Sequence, residues 1–142
     1  MGPFPHDAPK ATISLDNPAG TDGFEFVEFA HPEPEKLDAT FRQMGFVPVA
    51  RHKRKKITLY RQGDINYLLN AEPDSHAARF VAKHGPCAPA MAWRVVNARH
   101  ALDRALELGA TEYTGPGKSL NLPAVIGIGG SLLYFVDHYG DA

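Results

Sequence analysis

The sequence predicts an α+β domain of two tandem βαβββ modules, packed side by side with helices outside and strands in mixed sheets. Three observations lead to that architecture. A strand-like run followed by a segment of helical apolar spacing occurs twice, over residues 24–45 and again over residues 90–109. Each helical segment stops at a glycine, Gly45 or Gly109, suited to the positive φ that follows a helix. Short strand-like runs separated by turn residues then complete each half. Superposing Gly45 on Gly109 brings Phe24 close to Ala90, a period of roughly 65 residues that points to an ancient duplication.

Residues 1–22 carry Pro3, Pro5, Pro9 and Pro18 among small and polar residues without a sustained period, which predicts a mobile arm and a folded part beginning near Gly23. Phe24 to Phe29 is aromatic and β-branched, and Pro32 and Pro34 stop any strand that continues. Leu37, Phe41 and Met44 then recur at helical spacing, with Glu33 and Glu35 suited to the helix start. Phe46 to Val49 begins a second strand. Ile57 to Arg61 faces Ile65 to Asn70 across Gln62-Gly63-Asp64, a tight hairpin signal.

A short linking helix is predicted over Ser75 to Lys83, capped by Asp74 or Ser75 and closed at Gly85-Pro86. The second module repeats the order: a strand over Ala90 to Val96, then a helix capped by Asn97 and carrying Ala101, Leu102, Ala105 and Leu108. Short strands are placed near Thr111 to Thr114, Pro123 to Ile128 and Ser131 to Asp137, with Gly127, Gly129 and Gly130 marking the last turn. The modules thus run over about 23–72 and 88–142.

A chain of 142 residues with 44% hydrophobic and 22% charged content and a formal net charge of -1 is in the range of one soluble domain. Near-neutrality argues against a nucleic-acid module, which needs a face rich in Lys and Arg. The single cysteine, Cys87, cannot form an internal disulfide, so nothing points to an oxidising compartment. The longest apolar run, Leu132 to Val136, is too short to cross a bilayer, and no signal peptide opens the chain. The expectation is a cytoplasmic protein with neither nucleic-acid nor membrane partners.

The tandem βαβββ order resembles the vicinal oxygen chelate superfamily of glyoxalases, bleomycin-resistance proteins and extradiol dioxygenases. The wording is more specific: Gly-Phe-Glu-Phe-Val-Glu-Phe-Ala from Gly23, Leu-Tyr-Arg-Gln-Gly-Asp-Ile-Asn from Leu59, and His-Gly-Pro at His84. Ala-Leu-Glu-Leu-Gly-Ala from Ala105 and Gly-Ile-Gly-Gly-Ser-Leu-Leu-Tyr from Gly127 complete the set. Together they resemble bacterial 4-hydroxyphenylpyruvate dioxygenases over the chain from Asn17 onward. The resemblance covers the amino-terminal half of that enzyme. It implies a non-catalytic domain that supports a second, carboxyl-terminal pair of modules, where two histidines and a glutamate hold Fe(II). It also implies that the full-length parent converts 4-hydroxyphenylpyruvate and dioxygen to homogentisate and carbon dioxide.

On this reading the partners are the missing catalytic domain and further copies of the chain, in a homo-oligomer. The ending at Tyr134-Phe-Val-Asp-His-Tyr-Gly-Asp-Ala reads as a break inside a longer protein. The alternative is a stand-alone homodimeric binding protein or lyase of the glyoxalase and bleomycin-resistance kind.

A facial triad for non-haem iron needs two imidazoles and a carboxylate around one metal. The histidines are His6, His31, His52, His76, His84, His100 and His138, and no two stand at a recognised ligand spacing. In metal-binding relatives the ligands project from the first and last strands of each module. Glu25 falls near that position in module one and Ala90 or Met91 in module two, which is too few donors; Glu25 reads as a solvated or hydrogen-bonded strand residue. The run Arg51-His52-Lys53-Arg54-Lys55-Lys56 reads as a solvated hairpin in preference to an anion site. The Gly127 to Gly130 segment is followed by a strand, where a phosphate loop would need a helix. Cys87 has no nearby base in sequence, and Trp93 and Phe135 read as core aromatics. The expectation is therefore no catalytic, cofactor-binding or metal residues, no cofactor in this chain, and Fe(II) in the full-length parent.

Overall fold

A computed structural model describes residues 9–139. Its elements are β1 (Thr21–Ala30), α1 (Pro34–Gln43), β2 (Val47–Arg51), β3 (Ile57–Gln62), β4 (Ile65–Asn70), α2 (His76–His84), β5 (Cys87–Val95), α3 (Ala98–Glu107), β6 (Ala124–Ile126) and β7 (Leu132–Val136), with a 3₁₀ turn over Ile128–Gly130. The helix signals are realised atom by atom. Pro34 opens α1, and the side chains of Ser75 and Asn97 accept from the N–H groups of Ala78 and His100 to cap α2 and α3. Gly45 and Gly109 both follow their helices at φ +95°, where an L side chain would be strained.

The strands form one seven-stranded sheet in the order β2-β3-β4-β1-β5-β7-β6. Strands β1 and β5 lie antiparallel at its centre, and each pairs in parallel with the last strand of its own module, β4 or β7. The two modules therefore share one continuous mixed sheet, related by an approximate two-fold between β1 and β5.

The repeat is incomplete. The strand predicted near Thr111 to Thr114 is reduced to a single bridge from Glu112 to Val125, flanked by bonds from Tyr113 N to Ala124 O and from Ile126 N to Thr111 O. Gly115-Pro116-Gly117 then turns the chain away, because proline cannot donate to a ladder. Of the arm expected over residues 1–22, residues 1–8 lie outside the described residues. The later part is bonded to the domain: His100 donates to the Pro18 carbonyl at 2.7 Å, Val96 N–H donates to Gly20 O, and β1 starts at Thr21.

Alternation along the strands sorts the core. On the outer face, α1 buries Phe41 against Phe46, Tyr60 and Leu69 in module one. There α3 buries Ala98, Ala101 and Leu102 against Val95, Val125 and Phe135 in module two. Trp93 joins this second cluster and stacks on Phe24 with ring centroids 4.3 Å apart. The inner face carries Phe26, Ile57, Leu68, Ala90, Ala92, Leu132, Tyr134 and Val136. No helix covers it. It is covered instead by residues 113–123, whose Tyr113, Leu120 and Leu122 pack onto it. Ala90, Ala92 and Ala124 are almost fully buried there, and their small side chains let this strap approach the sheet closely.

Candidate functional site

The polar atoms of the inner face converge on one carboxyl. Phe26, Glu28 and Ala30 alternate inward along β1, so Glu28 sits mid-strand in the central pair, with 2% of its surface exposed. The Asn70 amide donates to its Oε2 at 3.5 Å, while Oε1 has no partner. Burial raises its pKa above the ordinary 4.5, opposed by hydrogen bonding from Ser119 and Asn70 and by the charge of Lys55.

The strap is fastened over this carboxyl. Ser119 donates to the Tyr134 hydroxyl from both its backbone N–H and its Oγ, each at 3.1 Å. Lys55 Nζ reaches in from the β2–β3 turn to donate to the Lys118 and Ser119 carbonyls at 2.8 and 3.2 Å. At the strap's other end, Arg79 donates to Pro116 O at 2.7 Å and His76 N–H to Gly117 O at 2.9 Å. Burial pushes the Tyr134 phenol up to about 12. One of the six residues expected to form a solvated basic hairpin, Lys55, is thus drawn half inside.

Glu25 lies elsewhere. The pairing of β1 with β5 slips between Phe24 and Phe26, and the extra residue re-aims Glu25 toward Arg94, whose Nε donates to it at 2.6 Å. Beside this pair a groove of about 280 Å³ is floored by Phe26, Leu120, Leu122 and Val136 and rimmed by Glu25, Asp137 and His138. Ala90 faces inward and Met91 outward, so neither brings a donor to the interior.

The described histidines are scattered. His31 and His52 use Nδ1 to accept from neighbouring backbone N–H groups, and His76, His84 and His100 bond to backbone carbonyls. His138 lies 3.7 Å from Asp137 at the surface, and His6 lies outside the described residues. Burial holds His76 below the usual histidine range, and its Nδ1 has no partner. Cys87 is half-buried, and burial, followed by the charge of Glu28, pushes its thiol up, which disfavours a nucleophilic thiolate. Among the described residues no three His, Cys, Asp or Glu side chains are placed to hold a metal ion.

Sequence reasoning passed over Glu28. Its signal was strict alternation with Phe26 and Ala30; what hid it was the bulge, which puts Glu25 out of phase.

A mixed sheet of two pseudo-equivalent βαβββ units, with α1 and α3 on one face and a concavity on the other, defines the vicinal oxygen chelate, glyoxalase-like class. Methylmalonyl-CoA epimerase from Mycobacterium tuberculosis shares the fold with a TM-score of 0.60 at 18% identity, covering 82% of this chain and 87% of that one. A xylose isomerase-like TIM barrel/4-hydroxyphenylpyruvate dioxygenase fusion protein superposes with a TM-score of 0.77 at 36% identity, over 92% of this chain and 20% of that one. The chain belongs to the family described as hydroxyphenylpyruvate dioxygenase, HPPD, N-terminal, whose model matches residues 15–142.

Among curated relatives, 4-hydroxyphenylpyruvate dioxygenase from Pseudomonas sp. (strain P.J. 874) is 51% identical over 129 residues, 89% of this chain. Hemolysin VllY from Vibrio vulnificus is 53% identical over 130 residues, 87% of this chain. The chain spans 36% of the length of each. The ferrous iron that this family implies does not fit the interior described here. Alanine, leucine and phenylalanine occupy most inward positions of β1, β4 and β5, and a single buried carboxylate is too small a donor set.

Proposed function

We propose that this chain acts as the non-catalytic amino-terminal domain of a 4-hydroxyphenylpyruvate dioxygenase-like enzyme. It supports an iron-bearing catalytic half and contributes to subunit contacts in a cytoplasmic homo-oligomer. The observation that carries the reading is the family match over residues 15–142 combined with an inner face filled by the chain's own strap. In the parent, 4-hydroxyphenylpyruvate and dioxygen would become homogentisate and carbon dioxide in the other half, with Fe(II) held there. No helix among the described residues is long and apolar enough to cross a membrane, in keeping with that setting.

A second placement has its own support: 3-dehydroshikimate dehydratase from Pseudomonas aeruginosa is 42% identical over 123 residues, with this chain spanning 19% of it. The higher identity to the Pseudomonas sp. dioxygenase favours the first.

The test is a domain exchange. This chain replaces the corresponding segment of that dioxygenase, and homogentisate formation is measured beside the parent. Retained turnover is expected from the exchange, with no oxygen uptake and no stoichiometric iron from the isolated chain. A folded but inactive exchange, or an isolated chain with an iron ratio near one and chelator-sensitive turnover, overturns the reading. Sedimentation equilibrium at micromolar concentration checks the association; a clean monomer of the isolated chain argues against subunit contacts through this domain.

A further inference from the structure

We propose that the buried Glu28 carboxyl is a proton-linked latch that holds the 113–123 strap in the concave face of the sheet. The geometry carries this. A carboxyl with 2% exposure, helped only by the Ser119 hydroxyl and a long 3.5 Å bond from Asn70, and with Oε1 left without a partner, is not solvated as an anion requires. Lys55 is the adjacent cation, yet it gives its bonds to the Lys118 and Ser119 carbonyls of the strap. The same lysine that could neutralise an ionised Glu28 is therefore committed to the closed strap. Ionisation leaves a buried charge whose relief is water, and water enters by lifting the strap off Tyr134.

The groups facing Glu28 set the window. Lys55 comes from the β2–β3 turn, Asn70 from β4, Cys87 from β5, Ser119 from the strap and Tyr134 from β7. Cys87 and Tyr134 are both pushed upward and stay neutral through the neutral range. His76 holds the strap's other end, and its depressed pKa gives the opposite response, to acid. The upward shift of Glu28 fixes the sign. Closure is fully favoured below the ordinary value of 4.5, weakens as pH rises above it, and levels off once pH passes the raised value of the closed state. Opening exposes Ala90, Ala92 and Tyr134, so the latch controls access to the apolar interior.

Amide hydrogen exchange by NMR on the 142-residue chain tests this, with Ser119 N–H, bonded to Tyr134, as reporter and the amides of β4 and β7 as references. After correction for intrinsic exchange, Ser119 protection should fall about tenfold per pH unit over the window while the references hold. In Glu28→Gln, which keeps the shape and cannot ionise, Ser119 protection should be level with pH. Carbon-13 titration of the Glu28 carboxyl in the unmodified chain gives an independent reading, and its midpoint should coincide with the levelling of protection. Ser119 protection independent of pH in the unmodified chain, or an equal fall in Glu28→Gln, overturns the latch. If Glu28→Gln does not fold, a carboxyl midpoint displaced from the levelling point overturns it alone.

Discussion

Arg94 and Glu25 meet at 2.6 Å across the bulge in β1, each side chain about four-fifths shielded from water. The slip in register that brings Glu25 to Arg94 also ends the alternation that places Phe26, Glu28 and Ala30 inside. Removing one partner leaves the other charge largely shielded from water and without its ion pair. Arg94→Met and Glu25→Gln should each lower stability by about 1.5–3 kcal/mol, and the double variant should lose less than the sum. Urea unfolding of the four proteins measures the coupling, and additivity would mean the pair contributes nothing of its own.

The duplicated helix ends permit an internal comparison. A Cβ at Gly109 meets nothing within 4 Å, so Gly109→Ala should show only the backbone cost of positive φ, about 1–2 kcal/mol. At Gly45 the added carbon would stand 2.6 Å from Gln62 Nε2, which donates to Met44 O. Gly45→Ala should cost about 1 kcal/mol more than Gly109→Ala, because that bond is displaced as well. Thermal unfolding of both variants ranks them, and equal losses would show that Gln62 yields without penalty.

The strap depends on small residues beneath it. Ala92 is fully buried on the inner face, in the cluster onto which Leu120 and Leu122 pack. Ala92→Leu should cost about 1–3 kcal/mol by overpacking and raise amide exchange in the strap before the sheet is affected. An unchanged strap would mean that the interior holds spare volume.

Acid should act through His76. Its pKa is held low by burial, so its contribution is present above the ordinary histidine value of 6.5 and is lost as pH falls through the folded value. Nε2 bonds the Gly130 carbonyl at 2.8 Å, while Nδ1 would gain a proton with nothing to receive it. His76→Gln should flatten the loss of melting temperature below neutrality, measured by calorimetry along a pH series. An identical acid limb in both proteins would place the sensitivity elsewhere.

Alkali gives a spectroscopic check. Tyr60, Tyr134 and Tyr139 are each raised to about 12, in every case first by burial; Tyr60 and Tyr139 also donate to Asp38 and Asp22. The shift is upward, so the stabilisation they provide is intact below about 10 and is lost as pH climbs toward about 12. Phenolate absorbance should therefore show a late phase that coincides with loss of far-ultraviolet dichroism. A late phase preceding unfolding would show that these phenols reach water in the folded chain.

Local rules made much of this molecule legible. Asn97 and Ser75 cap because their side chains meet N–H groups three residues on, and Gly45 and Gly109 end helices because they accept positive φ. Both effects act within a few residues. The Thr111 to Thr114 strand was overestimated because its residues suit a ladder, while the following Gly115-Pro116-Gly117 withdraws the chain from one.

Element order, helix boundaries and the kinship they carry were determined by sequence alone, since hydrophobic period and capping chemistry are properties of neighbours along the chain. The tertiary structure decided which of two glutamates on one strand is buried, because a bulge is defined only against the partner strand. It also decided what fills the concavity. Glu28 meets Asn70 across 42 residues, and Lys55 meets Lys118 across 63. Contacts at such separation arise from the sheet's closure and leave no periodic trace in the chain.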